Sequence, residues 1–158
     1  MREFDGFGAF AKYLSKLAII GVEVVHHAAD QCGNLVEESA KAEIGFYQPA
    51  VGPFVKWEDL ADSTEADKAR HGYPMDAPLL RTGTLRDSIS HQTDGHDVVV
   101  GSTSKLMVYH EFGTEKIPPR PVLGPALYMH KVTIIAGVGG ILESWLAGVS
   151  WKRKKLKL

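Results

Sequence analysis

The sequence predicts an α+β fold in which a long N-terminal helix and a C-terminal helix pack on a small antiparallel β-sheet, a meander. Three observations predict it. Apolar residues recur every three or four positions over residues 5–46 and again after Gly124-Pro125, while the stretch between them holds short alternating or β-branched runs bounded by turn residues. The 158 residues are 44% hydrophobic and 23% charged, ordinary values for a folded soluble domain. A chain of this length is by default one domain. Collagen, a fully disordered chain and a disulfide scaffold are excluded by composition, and a mean hydropathy of -0.10 argues against a polytopic membrane protein.

In the first helix Phe7, Phe10, Leu14, Leu17, Gly21, Val24, Val25, Ala28, Cys32, Leu35 and Val36 form the apolar stripe, and Lys12, Lys16, Glu23 and Asp30 fall off it. Gly33-Asn34 marks either a break between two helices or a kink within one. Residues 47–63, with Pro49, Gly52 and Pro53, read as a loop anchored by Trp57. Thr64-x-x-Asp67 resembles a capping box and Gly72 with Pro74 a stop, so a helix of about two turns is expected between them. A second loop covers 72–84.

Strands are expected at Ser88–Thr93, at Asp97–Ser102 with its Val98-Val99-Val100 run, and at Leu106–Phe112, where Leu106, Val108, His110 and Phe112 share one parity. Asp94-Gly95 is a turn dipeptide, and Gly101-Ser-Thr-Ser-Lys105 reads as a hairpin turn. Ile89, Val99, Tyr109 and Phe112 are the expected sheet anchors. Ile117-Pro118-Pro119-Arg120-Pro121 must be extended. The last helix carries Leu127, Lys131, Ile134, Val138, Ile141, Leu142, Trp145 and Leu146 at the helical period. Its uncharged run, Val132–Leu142, is shorter than the ~20 residues a spanning helix needs, so no membrane partner is expected.

The net charge of -1 conceals an asymmetry. Residues 151–158 hold five of the 18 basic residues and no acid, which leaves 13 basic against 19 acidic residues in 1–150, a net of -6. The chain therefore reads as one α+β domain over 1–150 with a basic tail over 151–158. Lys152, Arg153, Lys154, Lys155 and Lys157 have three open fates: contact with nucleic-acid phosphates, docking on the acidic surface of a neighbour, or a solvated end. Cys32 is the only cysteine, set among apolar residues, and a buried structural thiol is expected. Glu3 and Asp5 do not suit a secretory signal.

Catalytic and metal signatures are absent from the sequence. Glu23 and His27 form an i, i+4 pair with no third ligand fixed by spacing, and His26-His27 diverge by about 100° on a helix. There is no HExxH, GxGxxG, Walker loop or nucleophile elbow. Neither enzyme activity nor a cofactor is expected.

Several pieces of the chain follow one another in a familiar order. Trp57-x-x-Leu60 and Thr64-x-x-x-Lys68 precede Leu79-Leu80-Arg81-Thr82-Gly83-Thr84-Leu85-Arg86-Asp87-Ser88-Ile89. Val99-Val100-Gly101-Ser102, Tyr109-His110-Glu111-Phe112-Gly113 and Ile117-Pro118-x-Arg120-Pro121-Val122-Leu123 come next. The series, over roughly residues 57–127, resembles the neck and tail-completion proteins of tailed bacteriophages, the virion-morphogenesis and minor tail protein Z-like families. The basic tail is not part of the pattern.

The resemblance implies a tail-terminator-like α+β fold and a structural virion protein that joins tail to head. Such a protein forms a homo-oligomeric ring, first choice a hexamer and second a dodecamer, around the channel for genomic DNA. Its partners would be tail-tube or terminator and connector or stopper proteins, and its places the neck of the virion and the host cytoplasm during assembly. Within the motif, Leu80, Thr82, Gly83, Leu85, Tyr109, Phe112, Gly113, Pro118 and Pro121 are the structural positions. Gly83 suits a positive φ, Thr84 is the expected cap of the following turn, and Arg86 and Arg120 either pair with Glu111 or bridge subunits, or are plain surface arginines. The alternative is a nucleic-acid-binding accessory protein acting through its basic tail.

Overall fold

A 37-residue stretch without proline and with an unbroken apolar stripe forms one helix, α1, Phe7–Glu43, roughly 55 Å long at 1.5 Å per residue. The computed structural model describes residues 3–153 and 156, Arg153 by its backbone alone. Gly33 does not break α1. It is a close-approach position, where a Cβ would lie 2.5 Å from the His91 ring and 2.7 Å from Val98. The helix ends at Ile44 in extended conformation, and Gly45, at φ +104°, turns the chain.

The loop after α1 is pinned by Trp57, which is buried and donates its indole N–H to the Pro121 carbonyl at 3.2 Å. Helix α2, Asp62–His71, starts two residues before the expected Thr64, with Asp62 and Glu65 in its first turn and Lys68, Arg70 and His71 in its last. That charge order suits the helix dipole. Gly72 closes it in the left-handed region at φ +68°. A single turn, α3 (Thr84–Asp87), follows Gly83 at φ +87°. Thr84 is its first residue and not its cap: Thr82 Oγ1 accepts the Thr84 N–H at 3.5 Å instead.

Strands β1 (Ile89–Asp94) and β2 (Asp97–Ser102) pair antiparallel from Ile89–Ser102 to Asp94–Asp97. The expected third strand is helix α4, Lys105–Phe112. Among the described residues the sheet is a two-stranded hairpin and not a meander. The reason is local. Ser104 accepts the Leu106 N–H at 3.3 Å on its hydroxyl and caps a helix, so the expected hairpin turn at 101–105 is a strand-to-helix link. Eight residues of mixed polarity are too few for alternation to overrule that cap. Of the expected anchors, Ile89 is buried, but Val99 is 69% and Phe112 79% exposed and Tyr109 is also exposed. Val99 lies on the hairpin's outer face, and Tyr109 and Phe112 on the outer face of α4.

Helix α5, Leu123–Leu146, carries Pro125 in its first turn, where no intrahelical donor is lost. Its N-terminus is capped from afar: Glu111 accepts the backbone N–H groups of Val122, Leu123 and Gly124 at 2.8, 3.2 and 3.0 Å. A 3₁₀ turn follows at Trp151–Arg153. Helices α1 and α5 run antiparallel and the hairpin packs on the C-terminal half of α1. One apolar cluster joins Val36, Ala40, Ile44, Trp57, Ile89, Met107, Val122 and Ala126. A smaller one joins Val24, Ala28, Ile141 and Trp151 further along the helix pair. The mixed helix and antiparallel hairpin make the fold α+β.

Candidate functional site

The motif residues converge on one cleft of about 640 Å³ between α2, α3, α4 and the proline strap. Leu80, Thr82, Gly83, Leu85, Pro118 and Arg120 all line it. Tyr109 and Phe112 do not; they face outward from α4. Gly113, at φ +73°, ends α4 against the strap, where a Cβ would meet the Ile117 carbonyl and the Pro119 nitrogen at 3.0 Å. Pro121 is buried and accepts the Trp57 indole.

Arg120 is 6% exposed, and its guanidinium donates to the carbonyls of Glu58 and Asp59 at 3.0 and 3.2 Å. It pins the strap to the loop before α2 and does not meet Glu111, which is engaged at the α5 N-terminus. Its Nε is buried with no hydrogen-bond partner among the described residues, as is His110 Nδ1 on the neighbouring helix. Burial, with Arg120 beside it, lowers the His110 pKa. Arg86 lies apart, exposed and paired with Asp87 at 3.0 Å.

The sequence reading places Lys68 in the motif but misses its burial. This side chain is buried, donates from Nζ to the Ala77 carbonyl at 2.5 Å, and has its pKa lowered by burial. A Lys on a short polar helix gives no sign of burial until the 72–83 loop is known to fold over it. Also missed was Glu43, whose carboxyl is raised to about 8, chiefly by burial, with Glu111 adding to it and the Gln48 amide opposing. His91 was missed as well. Its Nδ1 is 2.5 Å from Glu37 and its Nε2 3.4 Å from Asp30. Contact of both ring nitrogens with carboxylates is the geometry of an imidazolium.

The basic tail returns along the helix pair it leaves. Trp151 is buried with its ring edge-on to His27 at 5.4 Å, and Lys152 pairs with Glu23 at 2.6 Å. Leu156 is buried against α5 at Gly137, where a Cβ would lie 1.8 Å from its Cδ2. Lys154, Lys155, Lys157 and the Arg153 side chain lie outside the described residues. Glu23 is thus engaged by a cation, and no group of three metal-ligating side chains occurs among the described residues.

A second concavity of about 620 Å³ is apolar, floored by Val25 and Cys32 of α1 and walled by Val98 and Val100 of the hairpin and Leu127 and Val138 of α5. Cys32, expected to be buried, is half-buried in that floor, and burial raises its thiol pKa. Elsewhere on the helix pair apolar surface is also uncovered: Phe7 is 84% and Val132 78% exposed. Helix α5 is also long and apolar enough to cross a membrane by length and composition, at 24 residues and with 17% of its most apolar window buried. The eleven-residue run considered from sequence understated it. The same surface equally suits packing against other helices.

Comparison with protein-family models, with curated proteins and with solved structures finds no match for this chain.

Proposed function

We propose that this chain is a structural virion protein that forms a ring at the phage neck or the head-proximal end of the tail. It joins tail to head and surrounds the DNA channel. The ring is homo-oligomeric, a hexamer by first choice and a dodecamer by second, and its faces meet a tail terminator and a connector. The motif order supplies the family likeness. The observation that carries the reading is the uncovered apolar surface of α1, α4 and α5, with Phe7, Ile19, Val22, Phe112, Val132 and Ile135 all exposed. Large exposed apolar patches mark interaction sites. The work is binding, and the cleft shaped by Arg120 and Lys68 acts as structure that fixes the proline strap.

Imaging of the purified protein at micromolar concentration tests it. Closed rings are the expected particles, and virions lacking the protein should show unjoined heads and tails. A monomer at all concentrations, with normal joining in its absence, overturns the reading. Lys152 is held by Glu23 of its own chain, so removal of 151–158 is expected to loosen the α1–α5 pair before it affects any DNA contact.

A further inference from the structure

We infer that copies of this chain join arm-in-groove: the N-terminal stripe of one α1 lies in the apolar groove between the hairpin and α5 of a neighbouring copy. Phe7, Ala11, Leu14, Ala18, Gly21, Val25, Ala28 and Cys32 alternate at spacings of four and three, the repeat of a helix that packs along another helix. Two halves of this one stripe meet opposite fates. From Ala18 onward it is the groove floor, between hairpin and α5. From Phe7 to Leu14 it is uncovered, Phe7 at 84% and Leu14 at 47% exposure.

The trough is long enough to hold the arm. The groove is one trough, because two adjoining concavities of about 620 and 440 Å³ share Val25 and His96. Its floor runs from Ala18 to Val36, roughly 27 Å at 1.5 Å per residue. The uncovered arm ahead of that floor, residues 7–17, is roughly 15 Å on the same rise and fits within it. Lys12 and Lys16 are the only charges in that arm and both stand off the stripe. The hairpin tip beside the groove carries Asp94 and Asp97, both exposed, so the charges at the rim complement those of the arm. Exposed aromatic and aliphatic knobs at coiled-coil spacing and an unfilled apolar trough long enough to receive them make a heterologous contact, which closes into a ring where the rotation between copies permits it. A second copy is therefore the occupant.

This deepens the ring reading and rests on it for self-association alone. The test uses the full chain and its single cysteine. A chain carrying Leu14→Cys with Cys32→Ser is mixed with wild type, whose Cys32 lies in the groove, and treated with a short bismaleimide. A cross-linked dimer joining the introduced thiol of the variant arm to Cys32 of the wild type is expected only in the mixture; neither chain has two thiols. In parallel, Phe7→Asp with Leu14→Asp should weaken self-association roughly 100-fold, as loss of two anchors of about tenfold each would. The helical circular dichroism should be unchanged, since both side chains are exposed. Oligomers that persist in the double variant, with no cross-link in the mixture, overturn the arm-in-groove contact and leave the ring reading standing. A monomeric wild type overturns both. So does wild type that remains monomeric and floats with phosphatidylcholine–phosphatidylglycerol vesicles, because lipid then covers the stripe.

Discussion

The two ends of the α1–α5 pair are built on different principles. At the base, the C-terminal half of α1 is surrounded: the hairpin, Trp57, Met107 and the start of α5 close over Val36, Ala40 and Ile44. Along the stalk, the N-terminal half of α1 meets α5, the returning tail and the hairpin tip at Gly95 and His96, and four buried residues form the cluster. The base is a self-sufficient core. The stalk is a two-helix ribbon, and two helices cannot cover each other's apolar faces on all sides. Most of the buried core belongs to the first region, and the second leaves more of its apolar surface open to a partner.

Two buried tryptophans give the sharpest way to break that contrast. Trp57 sits in the base at 3% exposure with its N–H bonded to Pro121, and Trp151 in the stalk at 8%. Trp57→Ala is expected to cost about 3–5 kcal/mol, the range for deleting a large buried aromatic, read as a lower urea midpoint for the whole chain. Trp151→Ala should act locally, raising hydrogen exchange in the stalk and leaving protection in β1 and β2 intact. Equal global losses from the two would dissolve the distinction between base and stalk.

Two helical glycines come next in size. A Cβ at Gly33 would strike the His91 ring, which Glu37 and Asp30 hold on both sides. Gly33→Ala should therefore destabilise by about 1–3 kcal/mol, the overpacking range, despite its better helix propensity. A Cβ at Gly137 strikes only the far end of Leu156. That side chain can move, so Gly137→Ala should be near neutral in denaturation while freeing the tail to protease. If Gly137→Ala proves the costlier, the tail is part of the core and not a strap over it.

The same contrast explains what the sequence made legible. Helices α1 and α5 declared themselves because long apolar periodicity is a strong local signal. Gly72 and Gly83 declared their turns because a positive φ selects glycine. The segment 105–112 misled, since its parity suggested a strand while the deciding event was a cap one residue upstream, at Ser104. Arg120 was visible as a motif residue, but not its partners, which are carbonyls and leave no mark in side-chain identity. The burial of Lys68, Glu43 and His91 was illegible for one reason: each is polar locally and is covered or bracketed by segments outside its own element. The likeness of the motif could point to the cleft, though not to the groove, which arises from stripe, hairpin and α5 together.

Titration separates two buried carboxylate settings. Glu43, in the base, holds its proton to about 8 against an ordinary 4.5. The unfolded chain releases that proton earlier, so this group's contribution is complete below 4.5 and is lost as pH rises towards 8. Glu43→Gln should thus raise the melting temperature at about pH 8 and change it little at about pH 4. The hairpin latch behaves otherwise. Burial opposes the charge on His91, but Glu37 and Asp30 outweigh it and hold the pKa above 6.5. For Glu37, burial is outweighed by Lys41 and His91, which hold it below 4.5. His91 adds stability below 6.5 that is lost as pH rises through its folded value, and Glu37 adds stability above 4.5 that is lost as pH falls through its own. The latch is strongest between, and His91→Gln should reduce hairpin protection most within that window. A pH-independent loss would assign His91 a packing role only.

The smallest effect belongs to the stalk's exposed ion pair. Lys152 Nζ meets Glu23 at 2.6 Å, but the two side chains are 64% and 57% exposed, and such pairs contribute about 0.2–1 kcal/mol. Lys152→Ala should shift the urea midpoint barely, and the shift should vanish in high salt as screening shortens the reach of charge. Trp151 and Leu156, both buried, should keep the tail in place without it. A Lys152→Ala chain whose tail becomes as protease-sensitive as that of Trp151→Ala would mean that charge, and not the apolar pins, fastens the tail. In that case the stalk would be an electrostatic assembly, and salt alone would separate it from the base.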